Sequence, residues 1–206
     1  MAGDFETEDA KALIKKYFGE IKPKAEVAKL EPQPVTLSKT KRLFHEDNFA
    51  TAPQLNMVWP TPQQYTEDAY ALDFLAELIS NGKKAPLYQV LVKDKNLTSR
   101  TTAYNNSQEL AGEFYITITA NNGVNLNEVE AGIFEAFKIF EKEGVSGNDV
   151  ERIKAGLETG FYNGIGSVLG KSFQLAQYNV FAGDPGFITT DIENIKKVTK
   201  EDVMHV

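Results

Sequence analysis

Residues 112–157 read GEFYITITANNGVNLNEVEAGIFEAFKIFEKEGVSGNDVERIKAGL, and the spacing of their apolar residues changes partway through. Phe114, Ile116 and Ile118 alternate with Tyr115, Thr117 and Thr119, the two-residue period of a strand with one face against a core. Beyond Asn121-Asn122-Gly123, residues Val129, Ile133, Phe137 and Phe140 fall on one helical face, and Gly144 is placed to end that helix. Ser146 with Asp149 has the form of a capping box for another helix, which bears Val150, Ile153, Leu157 and Phe161.

The same reading extends upstream. TSRTTAY (98–104) is a second strand, and PLYQVLVK (86–93) is a short helix whose first turn suits Pro86, since the missing N–H would find no partner there. TEDAYALDFLAELISNG (66–82) has a Thr66 cap, an apolar stripe at Ala71, Leu75, Leu78 and Ile79, and a terminal Gly82. Further strand-like runs lie at Thr40–Phe44 and in QLNMVW (54–59), and EIKPKAEVAKLEPQP (20–34) reads as a connector. A first amphipathic helix starts at Thr7, with Ala10, Leu13, Ile14, Tyr17 and Phe18 at helical spacing and Gly19 as its stop. Helical pattern returns at Phe173–Phe181 and Asp191–Val198. The two central strands are expected in one sheet, covered by the helices bearing Leu75 and Phe137, because those apolar stripes need an apolar sheet face to bury against.

Composition narrows the function. In 206 residues, 42% hydrophobic content supports a shared core. A net charge of −7 speaks against a nucleic-acid surface, which needs clustered Lys and Arg. The longest charge-free stretch, Asn48–Thr66, is broken by Pro53, Pro60 and Pro62 and is no membrane span. With no cysteine there are neither disulfides nor thiolate metal sites, a composition that fits an oxidising compartment as well as any other. Met1-Ala2-Gly3-Asp4 runs into polar sequence without the apolar centre of a signal peptide. Thr199-Lys200-Glu201-Asp202 announces a helix that the remaining residues leave unbuilt, and Gly3-Asp4 looks like the exit of a strand; an excised piece of a longer polypeptide is therefore expected.

Several motifs tempt and fail. His45-Glu46 would open a zinc-protease helix, but H-E-x-x-H has Phe49 in its last place, and H-x-x-E-H would need Glu and His where Asn48 and Phe49 stand. Gly170-Lys171-Ser172 lacks the earlier glycine of a phosphate loop, since position 165 is Ile165; the glycines there suit a broken helix junction. Carboxylate pairs Glu67-Asp68, Asp149 with Glu151, and Glu201-Asp202 stand at helix starts, where the dipole favours them. Asn96-Leu97-Thr98 and Asn105-Asn106-Ser107 match glycosylation sequons, a pattern too short to decide anything. Neither His45 nor His205 has the context of a serine-hydrolase triad. No catalytic, metal-binding or cofactor-binding residue is assigned.

In order, AGDFETEDAKALIKKYFGEIKPK, DAYALDFLAELISNGKKAPLYQVLVKDKNL and the 112–157 stretch resemble the second domain of a half-molecule in the pitrilysin/insulinase family of zinc metallopeptidases, which includes mitochondrial processing peptidase. The resemblance spans nearly the whole chain. It implies an α+β fold, with a mixed, mainly antiparallel sheet and helices packed on one face. It also implies a single non-catalytic domain over residues 1–206, a scaffold forming part of a substrate chamber whose zinc lies in a different domain. Partners would be the other domains or half of the parent peptidase, and an extended peptide substrate; a bacterial, exported or periplasmic setting goes with this. In the family an Arg and a Tyr, with six residues between them, help hold substrate; the matching positions here are Val92 and Ser99, which cannot make those bonds. Arg100 and Tyr104 have the wrong spacing to replace them. The rival expectation is a peptide-binding or assembly module without proteolysis, taking a strand along an exposed edge of GEFYITITA.

Overall fold

The computed structural model describes residues 1–25, 28 and 30–206. Its frame is an antiparallel sheet of three strands, β1 (Gln54–Thr61), β2 (Thr102–Ser107) and β3 (Gly112–Thr119), in the order β1-β3-β2. Phe114, Ile116 and Ile118 of β3 are buried and alternate with residues on the other face, as the spacing requires. Trp59 and Met57 of β1 sit opposite Phe114 and Ile116, so the apolar rows of neighbouring strands coincide. Pro60 is tolerated because β1 is an edge strand whose outer side carries no ladder among the described residues.

Helices cover one face of this sheet. The helix α1 (Thr7–Phe18) buries only Ala10. α2 (Glu67–Ser80) starts at the expected cap, where Thr66 Oγ1 accepts the Ala69 N–H at 3.3 Å. After Pro86 the chain widens into a π-helical turn at Tyr88–Asp94, with the Lys95 N–H reaching back to Val90 O at 3.0 Å. α3 (Leu126–Glu143) buries Val129, Ile133 and Ala136 completely. A methyl group on its Gly132 would lie 2.5 Å from Leu91 Cδ2, so the missing side chain is what lets α3 approach the π turn. These elements and the sheet form one core, to which α2 contributes Leu72, Ala76 and Ile79.

A second core lies on the other side of α2. There Tyr70, Phe74 and Leu78 meet Val150 and Ile153 of α4 (Gly147–Gly164) and Val203 of α7 (Lys200–His205). Between them run α5 (Val168–Gln177), a π turn at Tyr178–Ala182 and α6 (Phe187–Lys197). The glycine-rich stretch is the helix junction the sequence suggests: α4 ends at Gly164, and Ser167 caps α5 by accepting the Gly170 N–H at 2.9 Å.

Three expectations change. Thr40–Phe44 is not a strand: it has no ladder partner, Leu43 and Phe44 are 99% and 87% exposed, and the tether nearby is the ion pair of Arg42 with Glu130. A strand needs a hydrogen-bonded neighbour as well as β-forming residues, and none of the described strands supplies one. The Thr199 signature does build a helix within the chain, with a full capping box between Thr199 and Asp202 and Val203 buried beneath it. Finally, β3 is the central strand, paired on both sides, so GEFYITITA offers no free edge for a peptide strand.

Candidate functional site

The positions singled out by resemblance hold an aliphatic and a small hydroxyl side chain. Val92 is half-buried in the π turn, and Ser99 is exposed on the loop that follows. Between them Thr98 is buried, its hydroxyl donating to Thr119 O at 2.6 Å, which ties the loop to the end of β3. Arg100 is exposed, and Tyr104 stands on the uncovered face of the sheet with its ring stacked on Tyr115 at 5.0 Å. His45 and His205 lie exposed on separate elements. Among the described residues no three of His, Cys, Asp and Glu are placed to hold a metal ion, and no helix is long and apolar enough to cross a membrane.

The polar groups that do converge come from α2, the second π turn and α6. Asp191 accepts hydrogen bonds from the Tyr70 hydroxyl at 2.5 Å and from the Tyr178 hydroxyl. Tyr178 is fully buried, and its ring packs edge-on against Phe187 at 5.5 Å and lies 6.0 Å from Tyr65. Burial first, and the bond to Asp191 second, push both phenols well above the usual tyrosine range, so they stay protonated donors. Tyr65 takes a backbone φ of 65° just before the Thr66 cap. That left-handed geometry is costly for a bulky residue, and here its ring is held against Phe187 at 5.0 Å.

Asp73, one turn along α2 from Tyr70, accepts from Asn105 Nδ2 at 3.1 Å, and the same amide also donates to Ala69 O and Ser107 Oγ. The residue is exposed, and its side chain borders a concave cleft. Desolvation raises its pKa to about 6, helped by the Asp191 and Glu77 charges and opposed by the Asn105 bond. A carboxyl raised in this way favours the folded state while protonated; that contribution is full below the unfolded value of about 4 and is lost as pH rises through about 6. Asp73→Asn is therefore expected to be more stable than the parent by about 1 kcal/mol at pH 8, a figure discounted for solvent exposure. The gap should close toward pH 4 in urea titrations; an equal gap at both pH values would mean that ionisation of Asp73 is not its cause.

Tyr70, Asp73 and Asp191, with Tyr65, Leu157, Phe161 and Ile195, line a cleft of about 440 Å³ between α2, α4 and α6. The arrangement can accept hydrogen bonds and attract positive charge. It supplies no nucleophile with a base beside it. None of Tyr65, Tyr70, Asp73, Tyr178 or Asp191 stands out in the sequence as a site residue, and only the helical spacing of Tyr70 and Asp73 hinted that those two share a face.

The Peptidase M16 inactive domain model matches residues 1–157. No curated protein matches the chain. Among solved structures, a protease from Helicobacter pylori superposes with a TM-score of 0.82 over 99% of this chain at 19% identity, and this chain spans 49% of that one. The inactive peptidase domain of a protein assigned as a zinc protease in Bordetella parapertussis gives 0.66 over 76% of this chain and 83% of its own, at 16% identity. The periplasmic protease PqqL from Escherichia coli gives 0.68 over 98% of this chain and 22% of its own, at 14% identity. At such identities the superpositions speak for the fold, and the family model, matching 157 of 206 residues, speaks for descent: the chain belongs to the Peptidase M16 inactive domain family.

Proposed function

We propose that residues 1–206 act as one non-catalytic domain of a longer zinc metallopeptidase and form part of the wall of its substrate chamber, the zinc being held in another domain. The observation that carries this reading is the one-sided covering of the sheet. Helices bury the face bearing Phe114, Ile116 and Ile118, while Gln54, Asn56, Val58, Tyr104 and Glu113 leave the opposite face open, broad and nearly uncharged. Such a surface can touch many peptide sequences through neutral polar groups and the stacked Tyr104–Tyr115 pair without selecting one tightly. Val92 and Ser99, in place of an Arg and a Tyr, would leave this domain positioning substrate without those two side-chain contacts. The H. pylori protease, about twice as long, supports a parent with further domains, and PqqL, a periplasmic protease, supports an exported setting.

The test compares the 206-residue chain with the product of the whole reading frame on a fluorogenic peptide library. The short chain is expected to be inactive with or without added Zn²⁺, having no base held beside a metal-bound water. The whole product is expected to cleave, to lose activity with a chelator, and to carry H-x-x-E-H outside residues 1–206. Chelator-sensitive cleavage by the short chain, or a parent without that motif, would overturn the reading.

A further inference from the structure

The cleft between α2, α4 and α6 lies on the helical side of the molecule, away from the open sheet face. Its walls are aromatic and aliphatic: Tyr65, Phe74, Leu157, Phe161 and Ile195. Its polar lining combines the neutral side chains of Gln64, Ser107 and Gln174 with the carboxyl groups of Asp73 and Asp191, and among the described residues no Lys, Arg or His lines it. Asp191 accepts from two phenols and Asp73 from the Asn105 amide, all neutral donors, so among the described residues the Asp73 carboxylate borders the cavity without a counter-charge. On α4, Gly156 and Gly160 border the cavity one turn apart, and a Cβ at either position would meet nothing within 4 Å. The fold would accept side chains there, yet the sequence leaves that stretch of wall bare, which is what keeps the cleft open.

We propose that this cleft binds an organic cation carried on an apolar stem, an amine or guanidinium whose charge meets Asp73 and whose stem lies along Tyr65, Leu157 and Phe161. The chemistry follows from the lining: aromatic faces attract cations, apolar walls take a stem of several methylenes, and a carboxylate without a counter-charge attracts a positive group. A cavity of a few hundred Å³ with few convergent polar groups has the dimensions of a small-ligand site. Two sources share this chemistry, a free diamine and the Lys or Arg side chain of a peptide.

Calorimetry on the 206-residue chain at pH 8 distinguishes them, using cadaverine, N-acetylarginine amide, an acetylated hexapeptide with a single Arg, and its citrulline counterpart. Binding of cadaverine together with the arginine amide assigns the site to free cations. Binding of the arginine hexapeptide alone assigns it to a peptide side chain, and the citrulline peptide should bind at least tenfold more weakly. Asp73→Asn should weaken the positive probe at least tenfold, and Gly160→Leu should abolish its binding by filling the cavity. Gly160→Leu should not lower the melting temperature, because a helical glycine is being replaced by a better helix former in open space. Absence of binding by every cationic probe, or binding that survives both substitutions, overturns the proposal; neither result bears on the peptidase reading, which is tested on the whole product and its zinc.

Discussion

Phe74→Ala is expected to lower the stability of the fold by about 3 to 5 kcal/mol, and the melting temperature by roughly 10 °C for a chain of this size. Phe74 is completely buried in α2, and its ring enters the core that α2 shares with α4 and α7, beside Val150, Ile153 and Val203. Truncation would remove the ring's transfer free energy and leave a cavity between three helices, two of which have little else to hold them. α4 buries only Val150 and Ile153, and α7 only Val203. The loss should therefore appear as loosening of the whole C-terminal helical layer, visible in hydrogen exchange as lost protection in α4 and α7 with the sheet still protected. Phe137 provides the contrast. Its ring is half-buried against Trp59 and Phe134, so the same truncation there should cost about half as much. Equal melting temperatures for the two variants would remove the second core as an energetic unit.

Phe74 also shows where reading the sequence stopped short. The α2 stripe of Ala71, Leu75, Leu78 and Ile79 describes a helix with one apolar face. α2 in fact buries two, with Leu72, Ala76 and Ile79 toward the sheet and Tyr70, Phe74 and Leu78 toward α4 and α7, while Leu75 touches both cores. A helix wrapped on two sides has apolar residues around most of its circumference, and a search for one stripe discards half of them. Local signals fared better because their causes are local. The alternation of Phe114, Ile116 and Ile118, the Thr66 and Ser146 caps and the Gly144 stop each depend on residues within a few positions. Thr40–Phe44 failed for the opposite reason, since strand formation depends on a partner that no local pattern specifies. The cleft was illegible for the same cause at longer range: Tyr70, Tyr178 and Asp191 come from three elements, and only the packing of α6 and the second π turn against α2 brings them together.

Asp191→Ala is the sharper test of that convergence and is expected to cost about 3 to 4 kcal/mol. The side chain accepts from Tyr70 on α2 and from Tyr178 in the π turn, so its removal severs both bonds and leaves the hydroxyl of Tyr178, a fully buried residue, without its acceptor. Most of the loss should come from those stranded donors, because a buried unsatisfied hydroxyl costs more than a made bond gains. This gives the double mutants a sign. In the parent, Tyr178→Phe should destabilise by about 1 kcal/mol through loss of one hydrogen bond; in the Asp191→Ala background the same change should be neutral or stabilising, since it deletes the orphaned donor. The phenols report independently. Burial, then the Asp191 bond, holds them above the ordinary tyrosine range, so spectrophotometric titration of Asp191→Ala should show their ionisation moving down toward that range without reaching it, because the burial remains. If Tyr178→Phe costs the same in both backgrounds, Asp191 is not its energetic partner, and the cleft would then be held by ring packing among Tyr65, Tyr178 and Phe187.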